Sequence, residues 1–307
     1  MLKTVGFDPV VYDNLSTGHR EFVRWGDLVE GDIRDGARLL EALRHYRPHA
    51  VLHFAALAYV GESVEQPAKY YDTNVCGSQK LLDACVKAGV RTIVFSSTCA
   101  TYGVPARLPI AENDPQRPIS PYGRTKLIVE QMIKDYAHAY GLRYMSLRYF
   151  NAAGADPEGV LSERHFPETH LIPLALQSAA GTLPYLKVFG DDHPTRDGTC
   201  VRDYIHVADL ATAHVSALED LLAGGDSAEI NLGAGAPSSI MDVIRSIQRV
   251  TDRSVPIVVD GHRVGDPPEL FADTRLAYDR LGFEPKMSDI DTIVATAAPS
   301  FGLAVRH

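Results

Sequence analysis

At 307 residues the chain is long enough for one large domain or two lobes, a domain taking roughly 100–200 residues. An apolar fraction of 45% with 22% charged residues excludes a disordered chain or a fibre, because apolar surface is ample to offset chain entropy. Thirty basic against thirty-nine acidic residues leave a net charge of −9 without a basic cluster, which argues against nucleic acid or an anionic membrane as a partner. Cys76, Cys85, Cys99 and Cys200 form no Cys-x-x-Cys pair and no zinc spacing, so no metal is expected and a reducing cytoplasm is the simplest location. No apolar run approaches the ~20 residues of a spanning helix.

Residues 1–9 read as the tail of a helix and a turn. Val10-Val11-Tyr12-Asp13-Asn14 follows as a short strand with a polar end. A helix is expected over 36–46, with Leu39, Leu40 and Leu43 on one face. Residues 50–54 form the next strand, and Val75, Leu81, Leu82 and Val86 give helical spacing over 70–88. Thr92-Ile93-Val94-Phe95 is a strand running into Ser96-Ser97-Thr98. Residues 127–140 are helical again, and a strand over 144–147 leads to Arg148-Tyr149-Phe150-Asn151. Short apolar strands alternating with helices define an α/β protein with a doubly wound parallel sheet. Ligands of such sheets bind beyond the carboxyl ends of the strands, where Asp13, Thr98 and Asn151 stand. After Asn151 the loops lengthen and proline recurs at 157, 167, 173, 184 and 194. The expected division is a first domain of 1–155 and a smaller lobe of 156–307, some of whose segments return to the first domain.

In a dinucleotide fold the acid that holds the adenosine ribose follows a glycine-rich turn by about 20 residues. Asp13 stands at such a strand end, and counting back from it places the turn before Met1. Two readings of Asp13 stay open: a ribose ligand, or a turn-forming Asp-Asn pair ahead of Ser16-Thr17-Gly18. Gly233-Ala234-Gly235 lacks the third glycine and reads as a tight turn between a strand over 229–232 and a helix from Ser238. The first strand and glycine loop are therefore expected to be absent, with Met1 a misassigned start and both features encoded upstream. Strands near Val10 and Val51 would then have unpaired edges, and the chain would bind its dinucleotide weakly, be unstable and have little activity.

Tyr122 and Lys126, four residues apart, share one face of a helix. An ammonium beside a phenol favours the phenolate, lowering a pKa of about 10 toward neutrality. Such a tyrosine serves as general base toward a sugar hydroxyl. The bland alternative is an exposed pair on an amphipathic helix; a position after Pro121, downstream of a strand ending in Ser-Ser-Thr, favours the site. A hydroxyl within Ser96-Ser97-Thr98-Cys99-Ala100-Thr101-Tyr102 either bonds the reacting oxygen and the tyrosine or does strand-end turn chemistry. Cys99 reads as a small packed residue.

Taken in order, these motifs resemble the extended short-chain dehydrogenase/reductase family. The resemblance runs from Val11-Tyr12-Asp13-Asn14-Leu15-Ser16 through Glu30-Gly31-Asp32-Ile33-Arg34, His53-Phe54-Ala55-Ala56 and Val60-Gly61-Glu62-Ser63. It continues with Ser120-Pro121-Tyr122-Gly123-Arg124-Thr125-Lys126 and Leu147-Arg148-Tyr149-Phe150-Asn151. Later come Asp197-Gly198-Thr199, Val201-Arg202-Asp203-Tyr204-Ile205-His206-Val207 and Gly265-Asp266. It implies a Rossmann-type fold, here N-terminally truncated, with a smaller C-terminal substrate-binding lobe, and NAD as cofactor. It further implies that Thr98, Tyr122 and Lys126 are catalytic. Asp13 and Asn14 would hold the adenosine end, and Asp32 and Ile33 would flank adenine. Phe54, Ala55, Ala56, Asn74 and Ser96 would line the cofactor groove, with Tyr149 by the nicotinamide. Asn151, His170, Leu171, Val188, Phe189, Arg202, Tyr204, Arg263 and Asp266 would hold a UDP-sugar, with Leu270 on its C2 side. Two arginines suit a diphosphate, since each offers a planar fork of donors.

The activity implied is interconversion of UDP-glucose and UDP-galactose by C4 oxidation, rotation of the 4-keto sugar and re-reduction. A C4 inversion of UDP-N-acetylglucosamine or UDP-xylose, or a nonenzymatic nucleotide-sugar-binding fragment, are the alternatives. A 4,6-dehydratase is disfavoured, because Cys99-Ala100 follow Thr98 where those enzymes place an Asp-Glu pair. The resemblance also implies a homodimer, built on helices near 70–88 and 122–140, in the cytoplasm.

Overall fold

The computed structural model describes residues 1–262 and 267–306. Two compact units make up the chain. The first comprises Met1–Gly103, Pro115–Arg148 and Thr212–Ile230, and the second Val104–Asp114, Tyr149–Ala211 and Asn231–His307.

The first unit opens with β1 (Val10–Asp13) and β2 (Asp27–Glu30), paired in parallel. Helix α1 (Gly36–Tyr46) starts where the Asp35 carboxylate accepts the N–H groups of Ala37 and Arg38, and it buries Leu39 and Leu43. Then come β3 (Val51–His53), α2 (Val60–Glu65) and α3 (Pro67–Tyr70). The helix expected over 70–88 is interrupted: Tyr71–Cys76 form a π-helical turn before α4 (Gly77–Ala88). The widened turn carries the buried Asn74. Gly77 follows because a Cβ there would lie 2.7 Å from Ile33 Cδ1. Strand β4 (Thr92–Thr98) is buried along its whole length and ends in Ser96-Ser97-Thr98, as expected. Helix α5 (Pro121–Tyr140) starts earlier than its apolar spacing suggested. Ser120 caps it by accepting the Gly123 N–H, and Pro121 occupies the first turn, where a missing N–H costs nothing. Strand β5 is Arg143–Tyr149.

The chain continues through β6 (Asn151–Ala153), α6 (Leu171–Ala179), β7 (Leu186–Phe189), β8 (Val201–Arg202) and β9 (Tyr204–His206). It then forms α7 (Val207–Leu222), β10 (Ala228–Leu232), β11 (Ser238–Ser239), α8 (Ile240–Thr251), β12 (Ile257–Asp260), β13 (Glu269–Leu270), α9 (Arg275–Leu281) and α10 (Ile290–Ala297). Helix α8 begins after Ser238 because Ser239 and Asp242 close a reciprocal capping box.

The main sheet runs β10-β5-β4-β3, with β3 and β4 parallel. Among the described residues β1 pairs only with β2, and β3 only with β4. Leu39, Leu82, Cys85, Ile93, Phe95, Val129 and Ile133 belong to the core packed between strands and helices here. In the second unit β6 pairs with β9, β7 with β12, and β8 lies between β11 and β13. Ile172, Leu176, Val188, Tyr204, Ile247 and Ile293 are central to its core. The architecture is a Rossmann-type α/β fold with parallel strand pairing.

Candidate active site

In the first unit, Lys126 is 3% exposed, and its Nζ donates to the Ser96 carbonyl at 2.8 Å. That ammonium lies 5.0 Å from the centre of the Phe95 ring and 6.0 Å from that of Tyr122. The rings attract the cation, but burial disfavours it. Burial pushes the lysine down to about 8, against an upward pull from the Glu130 carboxylate. His53 lies at the end of β3, 2.8 Å from Ser78 Oγ through Nε2. Burial, aided by the Lys126 charge, lowers it to about 3, so its imidazole is neutral at pH 7. Thr98 ends β4, and its Oγ1 accepts the Ala100 N–H at 3.2 Å. A hydroxyl that accepts one bond still has its own hydrogen to donate.

The Lys126 environment has a consequence for stability. A lysine near 8 when folded and near ~10.4 when unfolded binds fewer protons in the folded state between those values. Stability therefore rises with pH across that window, and the penalty of burying the charge is fully present below it. In cofactor-free protein, Lys126→Met is expected to be the more stable form at pH 7.5, with its lead over wild type shrinking toward pH 10. A urea-midpoint difference that stays constant with pH would contradict this.

The loop after β3 is tied to α5. Asn74 Oδ1 accepts the Leu57 N–H at 2.8 Å, and Asn74 Nδ2 donates to Leu57 O at 3.0 Å and to Thr125 Oγ1 at 3.1 Å. Thr125 in turn donates to the Tyr122 carbonyl at 2.7 Å. Asn74, expected to line a groove, thus spends its amide on protein groups and holds the loop of Phe54, Ala55 and Ala56. Phe54 is 52% exposed and rests against the His214 ring at 4.8 Å.

Asn14 Nδ2 reaches the Asp32 carboxylate at 3.0 Å, which brings the ends of β1 and β2 together. Asp13 accepts the Leu15 N–H, the turn chemistry left open by the sequence. Arg34 grips Asp32 and holds its carboxyl well below the usual carboxylate range. Ile33 is buried against Gly77. The donor set suits an adenine dinucleotide: the Asp13 carboxylate at a strand end for ribose hydroxyls, exposed Phe54 and Ala55 as apolar surface, and a buried ammonium.

In the second unit, β6 and β9 set Asn151 opposite Tyr204, and Asn151 Nδ2 donates to Asp203 O at 2.9 Å. Arg202 lies opposite Leu270, with its guanidinium bonded to Val201 O at 2.8 Å. Tyr204 and Val188 are buried in the core, Phe189 and Tyr149 are half-buried, and Leu171 packs against the core from α6. Arg263 and Asp266 lie outside the described residues. The Gly233-Ala234-Gly235 turn serves a carboxylate of the protein itself: Ala234 and Gly235 donate N–H groups to Asp203. A Cβ at Gly233 would stand 2.2 Å from that carboxylate. His170, at the N-cap of α6, points Nδ1 at Glu163 and Glu168, which raise it to about 10. His165 faces the same pair and rises to about 9.

Of this cluster the sequence singled out His170 alone; the signal of the rest is the spacing Glu-x-His-x-x-Glu-x-His at 163–170. Sequence reasoning passed over a buried network beneath α5. Arg148 donates to both Glu130 oxygens at 2.9 and 2.7 Å and to Tyr102 Oη at 2.9 Å. Ser97 and Gln116 complete the Glu130 shell. The available signal was Glu130 standing four residues after Lys126.

The first unit thus sets a buried lysine, held on a carbonyl of β4, on the helix that follows that strand in a Rossmann-type α/β fold. The NAD dependent epimerase/dehydratase family model matches residues 2–233, and the chain belongs to that family. A UDP-glucose 4-epimerase of Rhizobium leguminosarum bv. trifolii is 54% identical, over 96% of this chain and 90% of that protein. The crystal structure of UDP-glucose 4-epimerase from Brucella ovis in complex with NAD is 61% identical, with a TM-score of 0.98 over 99% of this chain and 94% of the other. The Bifidobacterium longum enzyme, solved with NAD+ and UDP, is 34% identical, with a TM-score of 0.91 over 97% and 91%.

Proposed function

We propose that the chain interconverts UDP-glucose and UDP-galactose by inversion at C4, with NAD as cofactor. The observation that carries this is Lys126, buried and fixed on the Ser96 carbonyl one helical turn beyond Tyr122, in a chain of this family. Bound NAD supplies the acceptor that takes a hydride from C4 and returns it. Tyr122 takes the proton of the 4-hydroxyl and later gives it back, so no net oxidation occurs. Lys126 holds the nicotinamide ribose and favours the phenolate, and Thr98 orients the reacting oxygen with its remaining hydrogen. Asp13, Asn14, Asp32 and Ile33 take the adenosine end, with Phe54, Ala55, Ala56 and Ser96 along the groove and Tyr149 by the nicotinamide. Asn151, His170, Leu171, Val188, Phe189, Arg202, Tyr204, Arg263 and Asp266 hold the nucleotide and sugar. A homodimer in the cytoplasm belongs to the same reading. Purified protein supplied with NAD and UDP-galactose should form UDP-glucose; its failure to do so with folded, NAD-loaded protein would overturn the assignment.

Leu270 bears on sugar breadth. It is half-buried in β13, in register with Arg202. A leucine on the C2 side leaves room for an N-acetyl group that a tyrosine would fill. Leu270→Tyr is expected to lower kcat/KM for UDP-N-acetylglucosamine by roughly 10-fold or more while sparing UDP-galactose. Equal losses on both sugars would make Leu270 a packing residue only.

A further inference from the structure

The structure assigns a divalent-cation site of the zinc class to Glu163, His165, Glu168 and His170, in the segment leading into α6. One ligand atom from each of the four lies within 4.8 Å of all the others. His165 Nδ1 is 3.1 Å from Glu163 Oε1 and 3.7 Å from Glu168 Oε2, and His170 Nδ1 is 2.5 Å from Glu163 Oε1 and 3.4 Å from Glu168 Oε1. Zinc bonds of about 2.0–2.2 Å in a tetrahedron separate neighbouring ligands by roughly 3.3–3.6 Å. Three of these four separations, counted through one or the other Glu168 oxygen, stand near the edges of such a tetrahedron, and the His170–Glu163 contact would open as an ion replaces the proton between them.

The donor chemistry narrows the ion. Two imidazoles with two carboxylates suit zinc, cobalt or nickel, whereas calcium and magnesium select oxygen alone. A dication that displaces the two imidazolium protons leaves the cluster's net charge at zero, as it was with the two carboxylates paired. That balance matters here, because the Glu163 and Glu168 side chains are only 18% and 9% exposed. The Glu168 carboxylate is also held in place from outside the cluster's centre: Oε1 accepts the N–H groups of Thr169 at 2.7 Å and His170 at 2.9 Å. Backbone donors of this kind orient a ligating carboxylate and set its affinity. The four ligands come from one short stretch ending at the first turn of α6, so a bound ion would fasten that stretch to the helix. The site shares His170 with the residues proposed above to hold the nucleotide-sugar, but it uses the Nδ1 atom, and its geometry does not depend on the reaction.

The test uses the full chain after treatment with a chelator. Zinc alone is titrated calorimetrically, and cobalt(II) is added in parallel to read its visible absorption. One zinc per chain with release of protons, and the intense bands of tetrahedral cobalt, are the expected results. Glu163→Gln and His165→Ala should each weaken zinc binding more than about 10-fold and abolish the cobalt bands, with circular dichroism unchanged. Magnesium and calcium should not compete. Absence of zinc binding to the wild-type chain would overturn the proposal, leaving the cluster a knot of imidazolium–carboxylate pairs. So would zinc bound equally well by both folded variants, which would locate it at other surface histidines.

Discussion

Tyr122→Phe is expected to lower epimerase turnover by roughly 10²–10⁴-fold, the usual worth of a positioned acid–base group. The substitution removes one hydroxyl and leaves the ring. The half-buried Tyr122 side chain therefore keeps its packing, and the backbone bond from Thr125 to its carbonyl persists. Circular dichroism and UDP binding should match wild type while kcat falls. Thr98→Val should be milder in rate, since it removes an orienting hydrogen bond and not the base. It also removes the acceptor for the Ala100 N–H, costing about 1 kcal/mol in stability. Near-full turnover by folded Tyr122→Phe would show that another group moves the proton.

The second large effect is on the fold. Arg148→Met is expected to destabilise the protein by about 3–5 kcal/mol, because it leaves a buried carboxylate without its cation. Arg148 and Glu130 side chains are 2% and 1% exposed, and the guanidinium meets both carboxylate oxygens. Ser97 and Gln116 would still reach Glu130, but neither carries a positive charge. The double substitution Arg148→Met with Glu130→Leu should recover much of the loss, since no charge is then stranded. Urea unfolding of the three variants decides this. A loss below about 1 kcal/mol for Arg148→Met would mean that water or another residue satisfies Glu130. The network joins β4, β5 and α5, so weakening it should also loosen the helix that carries Tyr122 and Lys126.

The alternation of strand and helix was legible because local pattern decides it: an apolar run such as 92–95 buries two faces, and Leu39 with Leu43 marks one helix face. Tyr122 and Lys126 were legible because four residues on a helix fix their common face. The helix start at Pro121 was set by the Ser120 cap, a side-chain bond that apolar spacing does not encode. The π-helical turn at Tyr71–Cys76 was hidden for a related reason. Its Asn74 bonds Leu57 and Thr125, partners distant in sequence. Arg148 and Glu130 read as an ordinary strand residue and an ordinary helix residue until the fold brings them together. The Glu163-to-His170 cluster was visible as spacing, but the cysteine positions, on which the expectation of no metal rests, carry no sign of it.

In the proposed reaction C4 of the sugar gives up a hydride and receives the same one back, with Tyr122 moving only the hydroxyl proton. UDP-galactose deuterated at C4, incubated with the NAD-loaded protein in ordinary water, tests it by mass and NMR analysis of the product. The expected product is UDP-glucose that retains deuterium at C4. Product carrying a solvent proton at C4 would contradict it, because the carbon-bound hydrogen would then have exchanged through proton abstraction.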